Sequence, residues 1–202
     1  MQEPAKVGAV VLAAGMSRRM GALKALLPFG DRPMLARVLE SLIAADGIAP
    51  ICVVLGYARQ EIAPIVEPYP VTTVYNADYE AGGMLSSIRV GVSALPPECA
   101  AFFLVLGDQP GVRPDTLRAL LAAWQETPAP ALLPTYEGIR GHPILLAARL
   151  IPEILALPAE ATLKTLITRY AEQVGTLAVS DPAILADVDT PEDYERALRA
   201  FL

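Results

Sequence analysis

Ala101-Phe102-Phe103-Leu104-Val105-Leu106-Gly107-Asp108 is an unbroken apolar run that ends on a glycine and a carboxylate. A strand wetted on one face alternates apolar with polar residues, so a continuous run of this length describes a strand covered on both faces. Moving outward, comparable β-rich runs occupy Gly8 to Leu12, Ile51 to Leu55, Val71 to Tyr75, Ala131 to Pro134, Pro143 to Leu146 and Gly175 to Val179. Segments with helical periodicity lie between most of them: Pro33 to Ala45, Arg59 to Val66, Leu85 to Ala94, Pro114 to Trp124, Arg149 to Leu155, Leu163 to Ala171 and Pro191 to Phe201. This alternation predicts βαβ units around a mostly parallel sheet, an α/β fold with helices on both faces. Open sheets of that kind bind ligands beyond the carboxyl ends of their strands, which places the chemistry just after Leu12, Tyr75, Leu106 and Pro134.

The chain has 202 residues, enough for one hydrophobic core, and a single domain over 1–202 is expected. Its net charge of −6 and lack of a basic stripe argue against nucleic acid as a partner. An acidic protein repels anions, so a polyphosphate site must be built locally from Arg, Lys, backbone N–H groups or a bound cation. Cys52 and Cys99 show no metal-ligand spacing and read as buried thiols of a reducing cytoplasm. No apolar stretch reaches the roughly 18 residues of a membrane span, and the early run Val7 to Ala14 is too short for a leader. A cytoplasmic protein without membrane partners is the expectation. The 19 prolines fall mainly at helix starts and loops, where a missing N–H costs little.

The first strand runs into Leu12-Ala13-Ala14-Gly15-Met16-Ser17-Arg18-Arg19-Met20-Gly21-Ala22-Leu23-Lys24, a small-residue loop with three cations. Small side chains let N–H groups approach oxygen atoms, Arg grips phosphate with two donors, and Lys adds a compact charge. The spacing excludes a P-loop, because Lys24 lies three residues past Gly21 and is followed by Ala25 rather than Ser or Thr. It also excludes the three-glycine dinucleotide fingerprint, since Gly15 lacks those partners. A triphosphate cradle remains as the functional reading, beside that of a surface loop with incidental charges.

Asp108 follows the most apolar strand and is the first candidate ligand for Mg²⁺; the bland alternative is an aspartate turning the chain before Pro110. A second acidic cluster, Asp187-Val188-Asp189-Thr190-Pro191-Glu192-Asp193, could bring Asp189 opposite. Mg²⁺ prefers hard oxygen ligands and commonly takes one or two carboxylates plus substrate phosphates, so a pair is chemically sufficient. The same cluster also reads as an ordinary helix start, with Thr190 capping and Pro191 at the first helical position. Asn76 ends the third strand, and Gly82-Gly83-Met84-Leu85-Ser86-Ser87 opens a helix where glycines would allow a ligand close to free N–H groups. Met84 and Trp124 taken singly read as packing residues. The only histidine, His142, sits in a polar loop, Tyr136 to Pro143, where a structural role is the ordinary one.

Together these motifs resemble the nucleotidyltransferases that attach nucleotides to molybdenum cofactor, the MobA-like NTP transferases, and most closely their CTP-using cytidylyltransferase branch. The likeness spans nearly the whole chain. It rests on Leu12 to Gly15 with Ser17, Arg19, Met20, Gly21 and Lys24; on Gly83-Met84 with Ser86-Ser87; on Gly107 to Pro110; on Gly141-His142-Pro143; and on Asp189 to Asp193. The resemblance implies a Rossmann-like three-layer α/β/α fold and Mg²⁺ held by Asp108 and Asp189. It implies catalytic roles for Arg19, Lys24 and Asp108. It also implies nucleotide contacts from Leu12, Ala13, Ala14, Gly15, Ser17, Arg18, Asn76, Gly83, Met84 and Ser87, and an acceptor side built by Gln109, Arg140, Gly141 and His142. Ala14 stands where guanylyl-transferring relatives tend to carry Gly, which favours CTP.

The implied reaction passes CMP from CTP to the phosphate of molybdopterin, a phosphorylated pterin, and releases pyrophosphate. A molybdoenzyme or its chaperone is the implied recipient, in transient contact. Two rivals stay open at this point. One is a nucleotidyltransferase that uses GTP or another phosphorylated small molecule. The other is a non-catalytic chaperone of cofactor maturation, which would have no need of a carboxylate pair together with Lys24.

Overall fold

The structure is a computed structural model and describes residues 5–202; residues 1–4 of the expected domain lie outside the described residues. Its strands are β1 (Lys6–Ala13), β2 (Pro28–Phe29), β3 (Arg32–Pro33), β4 (Ile48–Leu55), β5 (Val71–Tyr75), β6 (Cys99–Leu106), β7 (Ala131–Tyr136), β8 (Ile139–Arg140), β9 (Ile144–Ala147) and β10 (Gly175–Ala178). The helices are α1 (Met34–Ala44), α2 (Arg59–Val66), α3 (Gly83–Ser93), α4 (Pro114–Glu126), α5 (Ile151–Ala156), α6 (Leu163–Arg169) and α7 (Pro191–Phe201). One eight-stranded sheet runs in the order β10-β7-β9-β6-β1-β4-β5, with β8 paired to β7.

The pairs β1–β4, β1–β6, β4–β5 and β7–β10 are parallel, while β9 runs against both β6 and β7. The mostly parallel α/β arrangement is therefore as the sequence indicates. Successive side chains of a strand point to opposite faces, and here both faces are buried. Ala9, Val11, Val53 and Phe103 pack with Leu35 and Leu39 of α1, Ile62 of α2 and Leu120 of α4. Val10, Val54, Phe102 and Leu104 pack on the other face with Ile88 of α3, Ile154 of α5 and Leu166 of α6. Three layers result. Truncating a side chain such as Phe103, which is fully buried, would cost about 3–5 kcal/mol.

A third, smaller core joins Met20 of the first loop to Phe29, Met34, Val188 and Ala197 of α7. It ties the cationic loop to the segment that carries Asp189.

Two expectations need correction. The loop Tyr136 to Pro143 contains a tight hairpin: Thr135 pairs with Arg140 and Tyr136 with Ile139. Its turn, Glu137-Gly138, has both φ values positive, at 50° and 80°, the twist that joins antiparallel strands in two residues. The predicted helix Arg149 to Leu155 begins instead as a 3₁₀ turn over Ala148–Leu150 and becomes α-helical only at Ile151, where Pro152 follows in the first turn. Cys52 and Cys99 are buried free thiols, as expected. No helix among the described residues is long and apolar enough to cross a membrane.

Candidate active site

After β1 the chain builds outward to β4 and β5, then returns to lay β6 on the other side of β1. The order reverses between β1 and β6, and the carboxyl ends of such neighbours leave a crevice. A cavity of about 400 Å³ opens there, lined by Leu12 to Gly15 from β1 and its loop and by Leu106 to Asp108 from β6. Ser17, Arg19, Lys24, Gly83, Met84, Ser87 and Asp189 line the same cavity, so most of the residues anticipated for nucleotide, catalysis and metal converge on one place.

The first loop closes on itself before it meets anything else. Ser17 adopts a left-handed φ of 51°, its carbonyl accepts from Met20 N at 3.1 Å, and its hydroxyl accepts from Lys24 N at 3.3 Å. The turn folds Lys24 back over the sheet edge. Its side chain is only 13% exposed, and Nζ donates to Asp108 Oδ2 at 3.1 Å and to Asp189 Oδ1 at 2.5 Å. Arg19, 70% exposed, reaches the other oxygen of Asp189 at 2.6 Å.

The electrostatics follow from these contacts. Burial pushes the Asp108 carboxyl above its ordinary value, Lys24 pulls it part of the way back, and Asp187 and Asp189 push it up again. The hydrogen bond from Lys24 holds Asp189 below the usual carboxylate range, with Arg19 adding to the effect. One ammonium in contact with two carboxylates from separate elements marks a position where a cation is stabilised from both sides. Among the described residues no trio of His, Cys, Asp or Glu converges on a metal position. The donor set is therefore a pair of hard oxygens, which fits a divalent cation that completes its shell with water and phosphate oxygens.

Several anticipated residues take other places. Arg18 does not line the cavity and pairs with Glu80 at 2.8 Å, an exposed pair joining the first loop to the segment before α3. Asn76 is 1% exposed and does not line the cavity. Its amide nitrogen donates to Ser86 Oγ at 2.8 Å and Ser87 Oγ at 2.9 Å, and its oxygen accepts from Asp78 N at 3.0 Å, so its side chain ties the end of β5 to the start of α3. Gln109 is also buried, with its amide engaged by Ile184 O at 3.2 Å and Asp187 Oδ1 at 2.6 Å; it orients Asp187 and has no donor left over for an acceptor. Gly141 and His142 are pinned by bonds from Gly141 N to Pro134 O and from His142 N to Ile184 O, both at 2.9 Å. Burial lowers the His142 imidazole below its ordinary value, against the pull of Asp108. Arg140 is exposed at the end of the β7–β8 hairpin. Met84, read singly as a packing residue, is 61% exposed on the cavity wall.

Among the lining residues to which the sequence assigns no role, two carry polar groups on their side chains: Asp187 and Tyr79. Asp187 was visible inside the acidic cluster but carried no feature to separate it from Asp189. Tyr79 was one aromatic residue in a loop.

A family model described as MobA-like NTP transferase domain matches residues 9–174. The chain is 28% identical over 196 residues to the molybdenum cofactor cytidylyltransferase of Escherichia coli (strain K12), covering 96% of this chain and 97% of that one. It is 31% identical over 195 residues to a probable molybdenum cofactor guanylyltransferase of Mycobacterium ulcerans (strain Agy99), covering 94% and 92%. The crystal structure of Rv0371c from Mycobacterium tuberculosis H37Rv in complex with manganese is similar with a TM-score of 0.79 at 27% identity, covering 98% of this chain and all of that one.

Proposed function

Since this chain belongs to the MobA-like NTP transferase family and is a nucleotidyltransferase, we propose that it transfers CMP from CTP to the terminal phosphate of molybdopterin in the presence of Mg²⁺. The observation that carries the chemistry is the single ammonium of Lys24 shared by Asp108 and Asp189 at the mouth of the first loop. A terminal phosphate oxygen of the acceptor attacks the α-phosphorus of CTP. A new P–O bond forms, the bond to the β-phosphate breaks, and pyrophosphate leaves. The attacking phosphate is already ionised at neutral pH, so the site needs no strong general base. Positioning and charge neutralisation are enough.

Each charged residue then has a role suited to its exposure. Arg19, out in solvent, takes the β- and γ-oxygens as the triphosphate enters and releases Asp189. Lys24, almost enclosed, sits against the α-phosphoryl group, where weak screening makes its charge count most. Asp108 and Asp189 would hold Mg²⁺, which supplies charge neutralisation for the phosphates. Asn76 sets the backbone of Gly83 and Met84 for the nucleoside. Arg140, exposed beside the carboxyl end of β7, is a cation available to a phosphorylated acceptor.

Base choice is read from Ala14. Ala14 is 4% exposed, lines the cavity, and carries one carbon more there than glycine would. A pyrimidine needs less depth than a purine, which supports CTP. The test is pyrophosphate release with CTP and, separately, GTP, in the presence of Mg²⁺ and molybdopterin, with Asp108→Ala as the blank. Release from CTP that the variant abolishes is the expected result. Release from GTP alone would overturn the base assignment, and release from neither would overturn the acceptor.

A further inference from the structure

The cavity lining combines two chemistries: the ionic group Lys24, Asp108 and Asp189, and apolar surface that includes Ala14, Tyr79 and Met84. We propose that Tyr79 is the nucleobase-contacting residue of this site, its ring supplying the face on which the base lies. The proposal rests on the nucleotidyl-transfer reading and deepens it.

Three observations place the ring. First, Tyr79 and Ala14 are seated over one gap, the missing side chain of Gly56. A Cβ at Gly56 would stand 2.6 Å from Tyr79 Cβ, 2.8 Å from Ala14 Cβ and 2.7 Å from Ala14 O. Real atoms do not approach so closely, so only glycine lets the residue that sets pocket depth and the aromatic wall meet. Second, the ring has an aromatic neighbour. Tyr57 stands with its ring centroid 6.2 Å away at 53°, a tilted arrangement of the kind aromatic pairs favour. Third, the segment carrying Tyr79 is rigid for a loop. Asp78 N donates to Asn76 Oδ1 at 3.0 Å and Gly82 N to Asp78 O at 2.7 Å, so the backbone is fixed on both sides of the ring.

A tyrosine that served packing alone would also contact the core, and Tyr79 does contact the cluster beneath α3. The two roles differ in what they do to ligands. A stacking face adds affinity for any base, because every base has a π-face, and adds none for a bare polyphosphate. Tyr79 thus separates a nucleotide from inorganic triphosphate, while Ala14 separates a pyrimidine from a purine.

The experiment is calorimetric titration of CTP and of inorganic triphosphate, both with Mg²⁺, into the wild type, Tyr79→Phe and Tyr79→Leu. The leucine variant keeps apolar bulk without the ring face. We expect Tyr79→Phe to bind CTP within about twofold of the wild type and Tyr79→Leu to bind it about tenfold more weakly, with triphosphate affinity unchanged in all three. Wild-type affinity for CTP in Tyr79→Leu, or parallel loss of both probes, would overturn the proposal. If the wild type prefers GTP, the same comparison with GTP decides Tyr79 while the choice of CTP fails separately. If it binds neither nucleotide more tightly than triphosphate, the nucleotidyl-transfer reading fails and takes this proposal with it.

Discussion

Asp193 Oδ2 accepts the backbone N–H of Asp189 at 3.2 Å, so the cap of α7 and a carboxylate of the active site are one piece of structure. The same oxygen takes Thr190 N at 3.0 Å, while Thr190 Oγ1 takes Asp193 N at 3.2 Å, which completes a capping box. Helix start and metal ligand are competing readings of this cluster; the helix start is present, and its cap also fixes the backbone of Asp189. Thr190→Ala is expected to cost about 1 kcal/mol in urea unfolding. Asp193→Ala is expected to lower kcat about tenfold, because it frees the backbone that aims Asp189. Unchanged turnover in Asp193→Ala would show that Asp189 is held by other means.

Lys24→Met removes the one cation that touches both carboxylates. Pyrophosphate release should fall at least about 100-fold, the scale of losing a single charge-stabilising donor. The Asp108 carboxyl, already raised by burial, loses the contact that pulls it down. Cooperative unfolding should persist, since the sheet core does not include this side chain. A variant with near-normal turnover would remove Lys24 from the mechanism.

Ala14→Gly removes one methyl group from the apolar lining of the cavity. The ratio of kcat/KM for GTP to that for CTP should rise about tenfold, within the range one carbon commands in a pocket. No change in the ratio would mean that the base lies elsewhere.

His142 makes stability depend on pH in a defined direction. The unfolded chain protonates this imidazole near its ordinary value of 6.5, whereas burial holds the folded value lower. Between the two, the unfolded state binds more protons, so stability falls as pH drops below that value and levels off once the folded imidazole also titrates. Urea unfolding across this range should show the fall in the wild type and a flatter profile in His142→Gln. Equal slopes would assign the acid loss to other groups.

Much of this could be read in the sequence because long elements carry strong periods. The continuous run Ala101 to Leu106 is doubly buried in the structure and lies beside β1 at the crevice. Two-residue strands have no period, so the β7–β8 hairpin was hidden in a polar loop, although Glu137-Gly138 was its one local cue. Residue type suggested that Lys24, Asp108 and Asp189 were chemical, but only the fold shows one ammonium shared between the two acids. Inward-facing polar residues were the hardest. Asn76 and Gln109 look like ligand contacts in a linear reading, yet each spends its amide on its own neighbours. Which way a short polar side chain turns depends on partners that the local sequence does not contain.

The contact between Lys24 and Asp189 spans 165 residues of chain. During synthesis the lysine emerges well before its partner, which follows every strand of the central sheet. Pairings of such sequence separation are slow to form because the intervening loop must first be closed. The sheet can therefore assemble while the active site is still incomplete, and a nascent chain acquires its catalytic charge balance only when the segment before α7 docks against Met20 and Phe29. Activity is in this sense a report that this long-range contact has formed.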